Sequence, residues 1–255
     1  MARQPSGPPP PPTVQKLRLR YTKRGPLRFA SHRDLARALE RALRRAQVPM
    51  AFSAGFSPHP KISYMGAAPT GAASEAEYVE IGLSRRCDPE QVRAALDASL
   101  PPGIDVLECV EAGEGTGALA DRLDATRWRI DLPGVPVEEL AAAVAAMLER
   151  DVVTVTKRTK DGTRDVDARA AVVSATVAHE AGCAILHMVV RQLTPTVRPD
   201  DVMAALAVVA DLHPPLPVRA VREAQGRLDD SGDVADPLEP DRAVRSYCQE
   251  ERAPV

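Results

Sequence analysis

The chain has 255 residues, with 24 prolines, 15 glycines, only eight aromatics (three Phe, four Tyr, one Trp) and a formal net charge of −2. That length accommodates one large domain or two of roughly 100 residues each, and either can bury a core. Apolar residues make up 44%, which excludes wholesale disorder, although Ala and Val supply much of that fraction and the core is lightly built. No apolar run approaches the ~20 residues that span a bilayer, and MARQPSGPPPPP contains no hydrophobic signal region. A cytoplasmic protein with no membrane contact is expected.

Cys87, Cys109, Cys183 and Cys248 lie far apart, with no CxxC pair and no CxxxCxxC spacing. A disulfide framework, a structural zinc or an iron–sulfur cluster is therefore not expected, and neither is any other cofactor. The small net charge conceals an asymmetry. From Lys16 to Arg45 there are eleven Lys/Arg against two acids, Asp34 and Glu40, whereas Asp229 to Asp241 holds six acids and no base.

Residues 1–14, with five consecutive prolines at Pro8–Pro12, read as a disordered leader. Leu17, Leu19 and Tyr21 alternate with Arg18 and Arg20, the period of a half-buried strand. Ser31 opens a helix, with Asp34 three positions later in a capping box. Leu35, Ala38, Leu39, Ala42, Leu43 and Ala46 form its apolar stripe, and Arg33, Arg37, Arg41, Arg44 and Arg45 occupy much of the remainder, up to Pro49. A short strand near Met50–Phe52, the loop GFSPHPKIS, a strand at Glu77–Leu83, a helix from Asp88-Pro89 to Leu100 and a strand at Ile104–Val110 follow. After GEGTG the pattern is repeated. A strand at Arg127–Leu132 precedes a helix at Val137–Arg150 and strands at Val152–Lys157, Val172–His179 and Ala184–Arg191. A helix from Pro199 to about Val209 and a strand at Pro217–Arg222 complete it.

These elements predict an α+β protein of two tandem ferredoxin-like units, each β-α-β-β-α-β, over residues 15–112 and 118–225. Residues 226–255, acidic and broken by Gly and Pro, read as a disordered tail.

The densest functional signal is Arg20 to Gly71, which combines a basic strand, a turn with Lys23, Arg24 and Arg28, and the Arg-rich helix. Pro58 and Pro60 bracket His59 and hold it extended, with Lys61 just beyond. Such a surface presents a positive field suited to a polyanion such as RNA, and the helix N-terminus at Ser31–His32 favours a phosphate. The plainer reading is an ordinary solvated helix face. An unperturbed imidazole has its pKa near neutrality, so histidines such as His32 and His59 suit acid and base roles in metal-free RNA cleavage by 2′-hydroxyl attack. Alternatively they orient a base, or simply bond locally. His187, amid Ile185–Val190, reads as a core histidine. Lys157, Arg158, Lys160 and Arg164 lie in a hairpin block with an Asp161-Gly162 turn signal, either a finger on the same ligand or a solvated hairpin. No phosphate loop, dinucleotide fingerprint or nucleophile elbow is present.

The stretch Lys23–Gly71, with GPLRFASHRDLARALERALRRAQVP and GFSPHPKIS, resembles the bacterial radical SAM-linked proteins, a domain family of unknown function (DUF2344). The block ending Val166-Asp167-Ala168-Arg169 is similar to that family's second motif, an Asp-x-Arg pattern, so Asp34, Asp167 and Arg169 join the residues of interest. The likeness covers about residues 15–225. It implies a stand-alone companion of a separately encoded radical SAM enzyme, with RNA, ribosomal or transfer RNA, as the substrate class. The expected function is a non-catalytic RNA-binding partner that presents RNA for modification, with an endoribonuclease or a protein–protein adaptor as alternatives. The tandem layout also resembles the CRISPR repeat-processing endoribonucleases, a likeness of fold alone.

Overall fold

A computed structural model describes residues 11–159 and 162–242. The chain is an α+β protein that divides into two compact units. The first comprises residues up to Thr70, Glu75–Asp121 and the segment from Pro237 onward, and the second Gly71–Ser74 and Arg122–Asp236.

The first unit contains β1 (Gln15–Lys23), a 3-10 turn at Gly25–Phe29, α1 (His32–Arg45), β2 (Ile62–Met65), most of β3 (Ala73–Leu83), α2 (Pro89–Asp97) and β4 (Val106–Glu111). Its strands lie in the order β4-β1-β3, with β2 pairing β3 antiparallel. The alternation of β1 sends Leu17, Leu19 and Tyr21 into the core with Val79, Ile81 and Leu83 of β3 and Leu35, Leu39, Ala42 and Leu43 of α1. The second strand is not at Met50–Phe52, where only isolated bridges form (Met50 to Leu83, Phe52 to Pro60), but at Ile62–Met65, which begins at the end of the expected loop and runs past it.

The second unit contains β5 (Ala125–Leu132), α3 (Val137–Leu148), β6 (Thr154–Thr159), β7 (Gly162–Asp167), α4 (Ala168–Ala171), β8 (Val172–Glu180), β9 (Cys183–Arg191), α5 (Pro199–Ala210), β10 (Arg219–Leu228) and β11 (Val234–Ala235). Its strands run β10-β5-β9-β8, with β11 on β10. The expected strand at Val152–Lys157 does not join this sheet; β6 pairs only with β7 in a separate hairpin. Between α3 and β8, where a single strand was expected, the chain thus forms β6, β7 and α4.

Residues 226–242 are ordered, contrary to the expectation of a disordered tail. Strand β10 continues to Leu228, and Gly226, without a side chain, lets the Ala235 carbonyl of β11 approach where a Cβ would collide. Leu238 and Asp241 are buried in the first unit. Likewise Val14, in the expected leader, donates its N–H to the Leu83 carbonyl. The expectations for residues 1–10 and from residue 243 onward lie outside the described residues. Among the described residues no helix is long and apolar enough to cross a membrane.

Candidate nucleic-acid interface

The sequence supplies α1 with a strong start and a locked inner face. Ser31 accepts a hydrogen bond from the Asp34 N–H at 3.3 Å and its own N–H donates to the Asp34 carboxylate at 3.4 Å, completing the capping box, while its hydroxyl donates to the same carboxylate at 2.7 Å. Those bonds from Ser31 hold the Asp34 carboxyl below its ordinary range. The carboxylate thus already sits at the helix N-terminus, where a phosphate was expected. Asp34 is a cap.

On the outer face, Arg33, Arg37, Arg41, Arg44 and Arg45 are exposed. Arg37 approaches Asp34 only to 4.0 Å, and Arg45 donates to the Ser99 carbonyl at 3.1 Å. Among the described residues, Arg33, Arg41 and Arg44 have no hydrogen bond or ion pair. Arg41 and Arg45 line a small cavity of about 180 Å³ with Ser99, Leu100 and Pro101. Arg28 sits with its guanidinium carbon 4.6 Å from the centroid of the Phe29 ring.

Other bases of this run are committed elsewhere. Lys23 is fully buried and donates to the carbonyls of Ala68 and Pro69. Arg24 pairs with Glu75 and with Asp105, the latter at 2.9 Å. Arg18 is buried between Glu80 and Asp241, and Lys16 pairs with Glu80 at 2.9 Å. Lys23 and Arg24 are therefore structural cations, and the open charge is concentrated on α1 and at Arg28.

The two histidines do not converge. His32 meets Tyr64 edge to face at 5.2 Å, and Tyr64 donates its hydroxyl to the Ala36 carbonyl, so both belong to the helix-covered face of β2. Burial pushes the Tyr64 phenol up. His59 instead lines a cavity of about 360 Å³ with Lys16, Lys61, Ser63, Glu80 and Gly82. Ser63 pairs Glu80 across β2 and β3, on the face opposite Tyr64, because neighbouring strand residues alternate sides. The acid–base pair expected for RNA cleavage is not assembled. Lys61 bonds Thr13 at 2.9 Å in this cavity, and Gly82 leaves room for both.

In the second unit, Lys157 pairs with Asp201 at 2.6 Å and donates to the Thr196 carbonyl, so it anchors the hairpin to the start of α5. Arg158 and Arg164 are exposed on the hairpin, and Lys160 lies outside the described residues. Asp167 caps α4, accepting from the N–H groups of Arg169 and Ala170, and also accepts from Val153. Arg169 donates to the Val172 carbonyl at 3.0 Å. The Asp-x-Arg motif thus fixes the hairpin's return to the sheet. His187 is 31% exposed and lines a cavity with Arg127, Thr176 and Asp233; it is not a core residue. Among the described residues no cluster of His, Cys, Asp or Glu is placed to hold a metal.

Sequence reasoning missed the phenylalanines. Phe29, Phe52 and Phe56, the only three in the chain, are all exposed. Their polar neighbours, Arg28 and the Ser-Pro-His loop, were the available signal.

No curated protein matches the chain. Among solved structures, similarity is found to an unknown protein from Galdieria sulphuraria at 13% identity and a TM-score of 0.24, over 82% of this chain and 97% of that one. DyPB from Rhodococcus jostii RHA1 is similar at 11% identity and a TM-score of 0.23, over 77% and 84%. The encapsulated DyP-type peroxidase from Mycobacterium smegmatis is similar at 11% and a TM-score of 0.21, over 88% and 93%. Likenesses at these scores support no statement about fold or chemistry. Residues 16–199 match the family described as "Uncharacterized protein conserved in bacteria (DUF2344)", and with that match spanning most of its length the chain belongs to this family.

Proposed function

We propose that the chain is a non-catalytic RNA-binding companion of a separately encoded radical SAM enzyme, holding RNA along the outer face of α1. One observation carries the RNA half of this reading. Arg33, Arg37, Arg41 and Arg44 face outward on a helix fixed by four buried apolar side chains, while nearby Lys23 is buried and donates to carbonyls and Arg24 and Arg18 pair with carboxylates. Positions four apart rise about 6 Å along a helix, so the arginines form a rigid row of charge along which a phosphate backbone can run.

We read each unit as ferredoxin-like, the second with the β6–β7–α4 insertion. The observed orders β4-β1-β3-β2 and β10-β5-β9-β8 support that reading. In the first unit, helices and the core occupy one face of the sheet, while Asp241 and Arg242 occupy positions against Arg18 and Glu108 on the other. That occupancy favours the helix side over the sheet for RNA. The radical SAM partner rests on the resemblance of GPLRFASHRDLARALERALRRAQVP and GFSPHPKIS to the stand-alone radical SAM-linked proteins.

The experiment is a titration of ribosomal and transfer RNA with the full chain and with Arg37→Glu/Arg41→Glu. Binding that falls with salt by roughly 0.7 to 0.9 log units per log unit for each phosphate contact is expected, and the double variant should lose affinity at least tenfold, to order of magnitude, with its circular dichroism unchanged. Unchanged affinity in the variant, or no binding by the natural chain, overturns the proposal. Co-purification of the radical SAM enzyme that survives nuclease but not the double substitution would make α1 a protein-docking helix instead.

A further inference from the structure

The aromatic residues of this chain are distributed against their hydrophobicity. Tyr21, Tyr78 and Trp128 are buried, whereas Phe29, Phe52 and Phe56 are 60%, 42% and 69% exposed. Phenylalanine has no polar atom that benefits from water, so exposing every one of them runs against the burial trend. All three belong to the first unit and fall within residues 29–56. Phe29 closes the 3-10 turn one helix cap ahead of α1, with the Arg28 guanidinium already seated on its ring. Phe56 lies at the tip of a loop whose stem is fixed from both sides. The Ser53 N–H donates to the His59 carbonyl at 2.8 Å, and the His59 N–H donates to the Ser53 hydroxyl at 3.0 Å. Gly55, at φ +133°, takes a backbone conformation that L side chains rarely adopt.

We propose that Phe29 is a base-stacking platform for single-stranded RNA, with the α1 arginines tracking its backbone, whereas Phe56, on the loop that carries His59, lies off that path. This rests on the RNA-binding reading and narrows it to one substrate class. An exposed ring offers an apolar π-face, and unpaired bases have the matching one. In a duplex those faces are already stacked, and the deep, narrow major groove of A-form RNA admits no such side chains. A guanidinium stacked on an exposed ring, next to arginines without carboxylate partners, is charge-complementary to a polyanion that also carries aromatic faces. A protein surface would need to supply a dense row of acids to do the same.

The test uses the full chain with a fluorescent single-stranded RNA of about 12 nucleotides and the blunt duplex of the same sequence. Phe29→Ala and Phe56→Ala are compared with Arg41→Glu. The single strand should bind more tightly than the duplex. Phe29→Ala should lose roughly tenfold in affinity while keeping the salt slope, because stacking is not electrostatic, and Phe56→Ala should bind like the natural chain. Arg41→Glu should lower that slope by about 0.7. RNA binding that ignores Phe29→Ala, or that treats strand and duplex alike, overturns the stacking proposal and leaves the RNA reading standing. Absence of binding to either RNA overturns both. A fall in melting temperature of Phe29→Ala matching its loss of affinity would mark the ring as structural, and a nuclease-resistant protein complex broken by it would mark a protein contact. Either result contradicts the proposal.

Discussion

The Arg18 guanidinium and the Asp241 carboxylate, 223 positions apart, meet at 2.8 and 2.9 Å with side chains 4% and 0% exposed. Asp241 also accepts from the Gly113 N–H and the Thr116 hydroxyl, so its charge is enclosed by donors. Removing one member of a buried ion pair leaves the other uncompensated, which costs about 3 to 5 kcal/mol. Because Glu80 still contacts Arg18, the low end applies. Asp241→Ala should destabilise the chain by about 3 kcal/mol in chemical denaturation, whereas Asp230→Ala, exposed on the same acidic stretch, should stay within about 0.5 kcal/mol. Equal effects of the two would contradict the anchoring role.

Glu80 gives this cluster an acid limit. Burial pushes its carboxyl up, but hydrogen bonds from Lys16 and Arg18 outweigh that and hold it below its ordinary value of 4.5. A depressed folded-state value means the unfolded chain binds the proton more readily, so this contribution is present above about pH 4.5 and disappears as pH falls through the folded value. Unfolding free energies measured downward from about pH 5.5 should therefore drop, and Glu80→Gln should flatten that drop. A variant with the same acid slope as the natural chain would remove Glu80 from the account.

Cys109 should be the least reactive thiol among the described residues. Burial pushes it up to about 12, so it remains protonated at neutral pH, where the thiolate is the reactive form. Cys87 and Cys183 are only partly buried. Brief alkylation of the folded chain, read by peptide mass spectrometry, should modify Cys183 before Cys109, and denaturant should abolish the difference. Simultaneous labelling would show that the β4 side of the core opens readily.

Lys157 and Arg164 share one hairpin and are expected to behave differently. Lys157→Met strands the nearly buried Asp201 carboxylate and should cost about 1 to 3 kcal/mol of stability. Arg164→Met touches no partner among the described residues and should leave the melting temperature unchanged. A silent Lys157→Met would show that the ion pair does not hold the hairpin.

Local patterns in the sequence located most elements. The alternation of Leu17, Leu19 and Tyr21 placed β1, and Ser31 with Asp34 placed the start of α1, because both signals are carried by adjacent residues. Pairing is not local. The residues of β6 have a strand's composition, yet their partner is β7 and not the sheet. Pro58 and Pro60 disguised β2 as part of a loop. The order of residues 226–242 depends in part on Asp241, whose partners Arg18, Gly113 and Thr116 lie more than a hundred positions earlier. The site shows the same division. A count of bases could not tell buried Lys23 from exposed Arg41, and closeness in sequence could not show that His32 and His59 lie on opposite faces of β2 and β3.

The most direct measurement is ultraviolet crosslinking in cells of the tagged full chain, with sequencing of the recovered RNA and mapping of the crosslinked peptides. Enrichment of one RNA class is expected, with crosslinks in the peptide that carries Arg28–Arg45 and none in the one that carries Leu238–Arg242. No RNA above background, or crosslinks confined to the Leu238–Arg242 side, would contradict it.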